Sequence, residues 1–165
     1  MFIFNFFHEY HPQPVIFQLG MFSFRWYGLL MAMAVGIGLL LTIRLAKGSI
    51  IGSEKIWGLA PYLIIFGFIG ARLYHVLSEI DYYLKRPLEI FYVWRGGLGI
   101  FGTIIAGALV LLFYTRKNQI SFWLLADLLA PSLALGEAIV RWGNWFNQEN
   151  FGRPTNLPWG IPVDW

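Results

Sequence analysis

The chain has 165 residues, of which 58% are hydrophobic, 19% aromatic and only 13% charged. An average soluble domain carries about 25% charged residues, so the composition and its positive mean hydropathy point to a membrane protein. The chain has no cysteine, which excludes disulfide staples and thiol chemistry of its own and leaves the redox compartment open. A net charge of +3 with no long basic run argues against nucleic acid as a partner.

Residues 1–24 are apolar and aromatic but interrupted by His8, Glu9, His11, Pro12 and Pro14. They contain no Lys or Arg, so the basic start of a secretory signal peptide is missing. The pattern predicts an interfacial or re-entrant segment. Four stretches then approach the roughly 20 helical residues needed to cross a hydrocarbon core about 30 Å thick. The first runs from Trp26 to Ile43. The second runs from Ile56 to Ala71 and extends to Leu77 if Arg72 faces the protein interior. The third, Gly96 to Thr115, carries no charge, and the fourth, Ser121 to Val140, contains Asp127, Pro131 and Glu137. The expected fold class is an all-α polytopic membrane bundle, one membrane domain over 1–165. Its spans lie near 26–43, 56–77, 96–115 and 121–140, followed by a polar segment at 141–160. Small residues four apart, among them Ala32–Gly36, Gly67–Ala71 and Gly102–Ala106, predict close helix approach.

Lys and Arg placement predicts orientation. Arg44, Lys47 and Lys55 follow the first span, and Arg116 and Lys117 follow the third, so these links should be cytoplasmic and the N-terminus extracytoplasmic. Aromatic residues near span ends, such as Trp26, Tyr27, Trp94 and Tyr114, fit interfacial belts. On this topology Arg25-Trp-Tyr-Gly28, Gly70-Ala-Arg-Leu-Tyr-His75, Arg95-Gly-Gly-Leu-Gly99 and the end of the fourth span share one side. That convergence predicts a site at the outer leaflet.

Charges inside apolar spans cost roughly 2.5–3.5 kcal/mol each on insertion scales and therefore need partners or a function. Arg72, Asp127, Glu137 and Arg141 are such charges. In the plainer reading, Asp127 or Glu137 pairs with an arginine as structural glue, and Glu137 stands four residues before Arg141. The stretch Arg141 to Pro154 is denser. Two arginines, three asparagines, a glutamine and a glutamate are interleaved with Trp and Phe. If it is helical, Arg141, Asn144 and Gln148 share a face within about 60°, with Gly152 and Pro154 ending the helix. Rings beside amides and a guanidinium suit an amphiphile, and a guanidinium grips phosphate through paired hydrogen bonds. The alternative is an interfacial helix with a solvated polar face. No metal-ligand spacing, nucleophile–base arrangement or nucleotide-type glycine loop is visible, and no cofactor is expected. His75 is a proton-shuttle candidate, though a lone interfacial histidine is more often structural.

The run Arg141-Trp-Gly-Asn-Trp-Phe-Asn-Gln-Glu-Asn-Phe-Gly-Arg-Pro-Thr-Asn-Leu-Pro-Trp-Gly160 resembles the signature of the prolipoprotein diacylglyceryl transferase family. Supporting matches are Pro14-Val-Ile-Phe-Gln-Leu-Gly20, Arg25-Trp-Tyr-Gly-Leu29, Gly70-Ala-Arg-Leu-Tyr74 and Val93-Trp-Arg-Gly-Gly97. The resemblance implies a bacterial inner-membrane enzyme. It would move the diacylglyceryl group of phosphatidylglycerol to the lipobox cysteine thiol of a prolipoprotein signal peptide and release glycerol phosphate. It implies that Arg141 binds the lipid phosphate and that Glu149, Asn144 and Tyr27 belong with it to the catalytic set. Asn147, Gly152, Arg72 and Gly97 complete the substrate-binding set. Many members place a histidine where this chain has Phe101, which leaves Glu149 or His75 as candidate bases, or no dedicated base. Members also continue through further spans, so the resemblance implies that this chain is an N-terminal portion, inactive alone. Two other classes compete with the transferase: a lipid-binding or lipid-transport protein without chemistry, and a small structural membrane subunit.

Overall fold

The computed structural model describes residues 12–20, 22–155, 157 and 160. The chain enters on a short antiparallel ribbon, β1 (Val15–Leu19) and β2 (Phe22–Arg25). Gly20 supplies the left-handed backbone of the turn, at φ 58°. Phe17 pairs with Phe24 and Leu19 with Phe22, and the register shifts between Val15 and Phe17. The Phe17 and Phe24 rings stack at 4.4 Å. Ile16, Phe17, Leu19, Phe22 and Phe24 are all exposed, so apolar side chains stand on both faces. A lone two-stranded ribbon is marginal in water, and its apolar surface suits a membrane boundary. The sequence reading placed an interfacial segment here without separating strands, because the shifted register blurs alternation. Residues 1–11 and 21 of that segment lie outside the described residues.

Four long helices follow: α1 (Trp26–Ala46), α2 (Ser53–Ser78), α4 (Ile100–Asn118) and α5 (Phe122–Asn147), with the short α3 (Ile80–Lys85) after α2. All four long helices are apolar and long enough to cross a membrane. The shortest, α4, has 19 residues and extends about 28 Å. The protein is thus a multi-pass helical membrane protein, as expected. α2 continues past Arg72, as the extended bound to Leu77 expects of an inward-facing side chain, and Arg72 is buried. α5 outruns its expected bound and carries on through Arg141 to Asn147. α4 starts late, at Ile100, because Gly96 and Gly97 are left-handed at φ 91° and 78°. Two short 3-10 turns, Pro87–Phe91 and Val93–Arg95, fill the connection between α3 and α4.

The chain divides into two compact units: Met1–Gly38 with Leu133–Trp165, and Leu39–Ser132. In the second unit Ile43, Ala46, Ile51, Ile56, Leu59 and Leu125 form a buried apolar cluster. Thr42 and Ser132 share a buried 2.7 Å hydrogen bond, and the Lys55 Nζ donates to Asn118 Oδ1 at 2.8 Å. α2 and α4 pack along a seam of small residues. A side chain on Gly70 would meet Ala106 Cβ and Gly102 O, each at 2.5 Å, and one on Gly102 would collide with the Gly70 carbonyl. Removing side-chain bulk lets the two backbones touch, which is how helices gain packing contacts in lipid. Isoleucines and phenylalanines at 64, 65, 66, 68, 104 and 105 stand exposed on the outer surfaces of α2 and α4.

Candidate functional site

The polar signature begins on the last turns of α5, in the first compact unit. Gly143 is buried, and a Cβ there would lie 2.9 Å from Tyr27 Cδ2 and 3.3 Å from Tyr27 Cα. The start of α1 therefore rests directly on α5. One step along, Trp26 stacks on Phe146 with ring centroids 4.8 Å apart and planes 14° from parallel. The signal for this seat in the sequence is the glycine at 143, which separates Trp142 from Asn144 and Trp145.

α5 then stops abruptly. Gln148 takes a left-handed conformation at φ 52°, its N–H donates to Trp145 O at 3.1 Å, and the Glu149 N–H donates to Asn144 O at 3.0 Å. This pair of bonds is a Schellman cap, which satisfies the last carbonyls of a helix. Its chemical result is to fold Glu149 back under the final turn. There Glu149 Oε1 accepts from Asn144 Nδ2 and from Asn147 Nδ2, both at 3.1 Å. Asn144 is only 9% exposed, so its amide is fixed as well as bonded. The carboxylate is also within electrostatic reach of the Tyr27 hydroxyl. Asn147 Oδ1 is buried with no hydrogen-bond partner among the described residues, and an orphan acceptor of this kind calls for a donor.

The sequence expected Gly152 and Pro154 to end this helix and Gln148 to share a face with Arg141 and Asn144. Instead the helix ends five residues before Gly152, and Gln148 has left the helical path. Glycine at 148 would have signalled the cap, but glutamine does not. Gly152 is exposed, and open space surrounds the position of an added Cβ.

Arg141 is exposed and makes no hydrogen bond or ion pair among the described residues. Glu137, one turn earlier, is exposed and does not pair with it, and Asp127 is likewise exposed and unpaired among the described residues. The expectation that an acid and an arginine would form structural glue here is not met among the described residues.

Arg72 and Gly97 meet in the second unit. Arg72 is 8% exposed. Its Nε donates to Ile90 O at 2.8 Å, Nη1 to Gly96 O and Gly97 O at 2.9 Å each, and Nη2 to Glu89 O at 2.6 Å. His75 packs on Gly97 and stands edge-on to Tyr83. Phe101 lies beside Tyr74, ring centroids 5.8 Å apart. Nearby, the Tyr82 hydroxyl donates to Glu89 Oε2 at 2.6 Å and accepts from Arg86 Nη1 at 3.1 Å. The structure therefore brings Tyr27, Asn144, Asn147 and Glu149 together in one unit, and Arg72 with Gly97 in the other.

The sequence model of the prolipoprotein diacylglyceryl transferase family matches residues 14–164. The chain belongs to that family. Among similar proteins, phosphatidylglycerol–prolipoprotein diacylglyceryl transferases are 48% identical over 155 residues in Synechococcus elongatus (93% of this chain, 54% of that one), 46% over 155 residues in Trichormus variabilis (93% and 55%) and 46% over 152 residues in Synechocystis sp. (92% and 54%). The chain spans about half the length of these relatives.

Proposed function

We propose that this chain supplies the headgroup-binding half of a phosphatidylglycerol–prolipoprotein diacylglyceryl transferase, in a bacterial inner membrane, with its N-terminus on the extracytoplasmic side. One observation carries the reading: Arg141 is exposed and engages no partner among the described residues, on the same last turns of α5 whose two asparagines Glu149 aligns. A guanidinium that engages none of the described residues is open to a phosphate, which it binds through two parallel hydrogen bonds. The orphan Asn147 Oδ1 matches a headgroup hydroxyl, which can donate to it.

The chemistry these groups support is substitution at carbon. The thiolate of a lipobox cysteine attacks the glyceryl carbon that carries the phosphate, a C–S bond forms, and the C–O bond breaks. Glycerol phosphate leaves with one more negative charge than the diester had. The thiol proton passes to a base, for which Glu149 and His75 are the candidates, since Phe101 cannot accept it. Fixed positive charge placed where negative charge grows lowers such a barrier, and that is the role given to Arg141. Glu149 holds Asn144 and Asn147 in register, while Tyr27 and Gly152 line the approach.

The test joins this sequence to the remaining length of the Synechococcus elongatus relative and assays prolipoprotein lipidation in membranes lacking other transferase. Arg141→Ala should lower the rate by roughly 10²–10³, the usual cost of deleting one preorganised charge-stabilising donor. An unchanged rate removes the proposal. Phosphatidylglycerol retention without any thioether product would instead favour a lipid-binding or transport protein.

A further inference from the structure

Arg72 is a buried cation with no acid paired to it among the described residues. Five N–H groups are available on a guanidinium, and four donate to main-chain carbonyls. Those carbonyls come from two separate places in the connection between α2 and α4. Glu89 and Ile90 lie in the Pro87–Phe91 turn, and Gly96 and Gly97 lie just before α4. The cation also sits over the Tyr83 ring in α3, 5.3 Å from its centroid. One side chain thus touches three successive parts of the connection.

The backbone is shaped to receive it. Gly96 and Gly97 are both left-handed, a conformation that L side chains rarely adopt, and together they turn two consecutive carbonyls toward one nitrogen. A Cβ on Gly97 would lie 2.6 Å from the His75 ring and 2.7 Å from Arg72 Nη1, so the position admits neither the side chain nor its usual backbone. The connection is closed by the Gly99 N–H, which donates to Ala71 O at 2.9 Å, next to Arg72 on α2.

We propose that Arg72 is a positioning residue that fixes the Glu89–Gly97 segment, and that it is not a ligand for a lipid phosphate. A phosphate at this guanidinium would have to displace four carbonyls from a nearly inaccessible group. Lysine would preserve the charge but not the clamp, because its three N–H groups radiate from one atom and cannot reach acceptors lying on two edges of a planar fork.

The absence of native cysteine permits a single spin label per variant of the full chain in lipid vesicles. Leu88→Cys reports on the connection, where Leu88 is 71% exposed, and Leu109→Cys reports on the α4 body. Arg72→Lys and Arg72→Gln should each shorten the rotational correlation time at position 88 by roughly fivefold, toward free loop motion on the nanosecond scale. The label at 109 should not change. Should both labels loosen together, Gly97→Ala decides the matter, since it keeps the guanidinium in the chain and crowds only its seat: mobility at 88 alone supports the clamp, and an unchanged 88 overturns it. A label at 88 that stays immobile in Arg72→Gln overturns the proposal. So does an immobile label in Arg72→Lys alone, which would show that charge suffices. Loop motion is read without substrate, so neither result depends on the transferase reading.

Discussion

Two arginines in this protein carry the same charge and live in opposite circumstances. Arg72, in the Leu39–Ser132 unit, is sealed among four carbonyls and a tyrosine ring. Arg141, in the other unit, is exposed and engages none of the described residues. A guanidinium is a good architectural element when its whole fork is matched, and a good ligand-binding element when it is left unmatched. Residue type alone does not distinguish the two; the acceptors around it do. The family resemblance implies a substrate role for both residues, yet main-chain acceptors surround only Arg72.

Substitutions test that contrast, and the greatest effect is the loss of lipidation in Arg141→Ala described above. Next in size is Gly102→Val. Its side chain enters the Gly70 carbonyl and the Tyr74 Cβ, and overpacking of a tight contact costs about 1–3 kcal/mol, occasionally more. Denaturant unfolding in detergent micelles should show it as a lower midpoint. Arg141→Ala, by contrast, should leave that midpoint in place, because surface substitutions stay within about 0.5 kcal/mol. If the arginine variant destabilised the fold as much as the glycine one, the contrast between the two units would fail.

Glu149→Ala should come third. It removes the acceptor shared by Asn144 and Asn147, and leaving a buried amide unsatisfied costs about 1–3 kcal/mol. The cost should appear in unfolding as well as in lipidation rate and lipid retention, and Glu149→Gln, which keeps one amide acceptor, should recover part of it. Smallest is Gln148→Gly, expected to raise stability by about 0.5–1 kcal/mol, because glycine adopts the left-handed conformation without the penalty a Cβ carries. A thermal melt would detect it, and a decrease would mean that the contacts of the Gln148 side chain outweigh its backbone strain.

How much of this was legible beforehand depends on what kind of acceptor a residue uses. The four helices were visible because hydropathy is a property of side chains, and runs such as Ile104–Val110 announce themselves. Close helix approach was legible for the same reason, since the Gly67–Ala71 and Gly102–Ala106 spacings advertise missing bulk, but not that α2 and α4 are the helices that meet. The Arg72 clamp was not, because its partners are main-chain carbonyls, which every residue has and no sequence pattern marks. Only the Gly96–Gly97 pair hinted at it. The Glu149 fold-back was hidden because glutamine occupies the left-handed position that glycine or asparagine commonly fills. The ribbon at 15–25 was obscured by apolar side chains on both of its faces.

The bare meeting of Gly70 and Gly102 has a mechanical consequence. With carbonyl set against methylene hydrogens and nothing pliable between, α2 and α4 cannot rotate or slide past one another without a collision, so bilayer thinning or thickening would have to be met by tilting the two as one beam. Flexing, where it occurs in this part of the protein, is left to the chain that joins them, and there a single guanidinium acts as the latch.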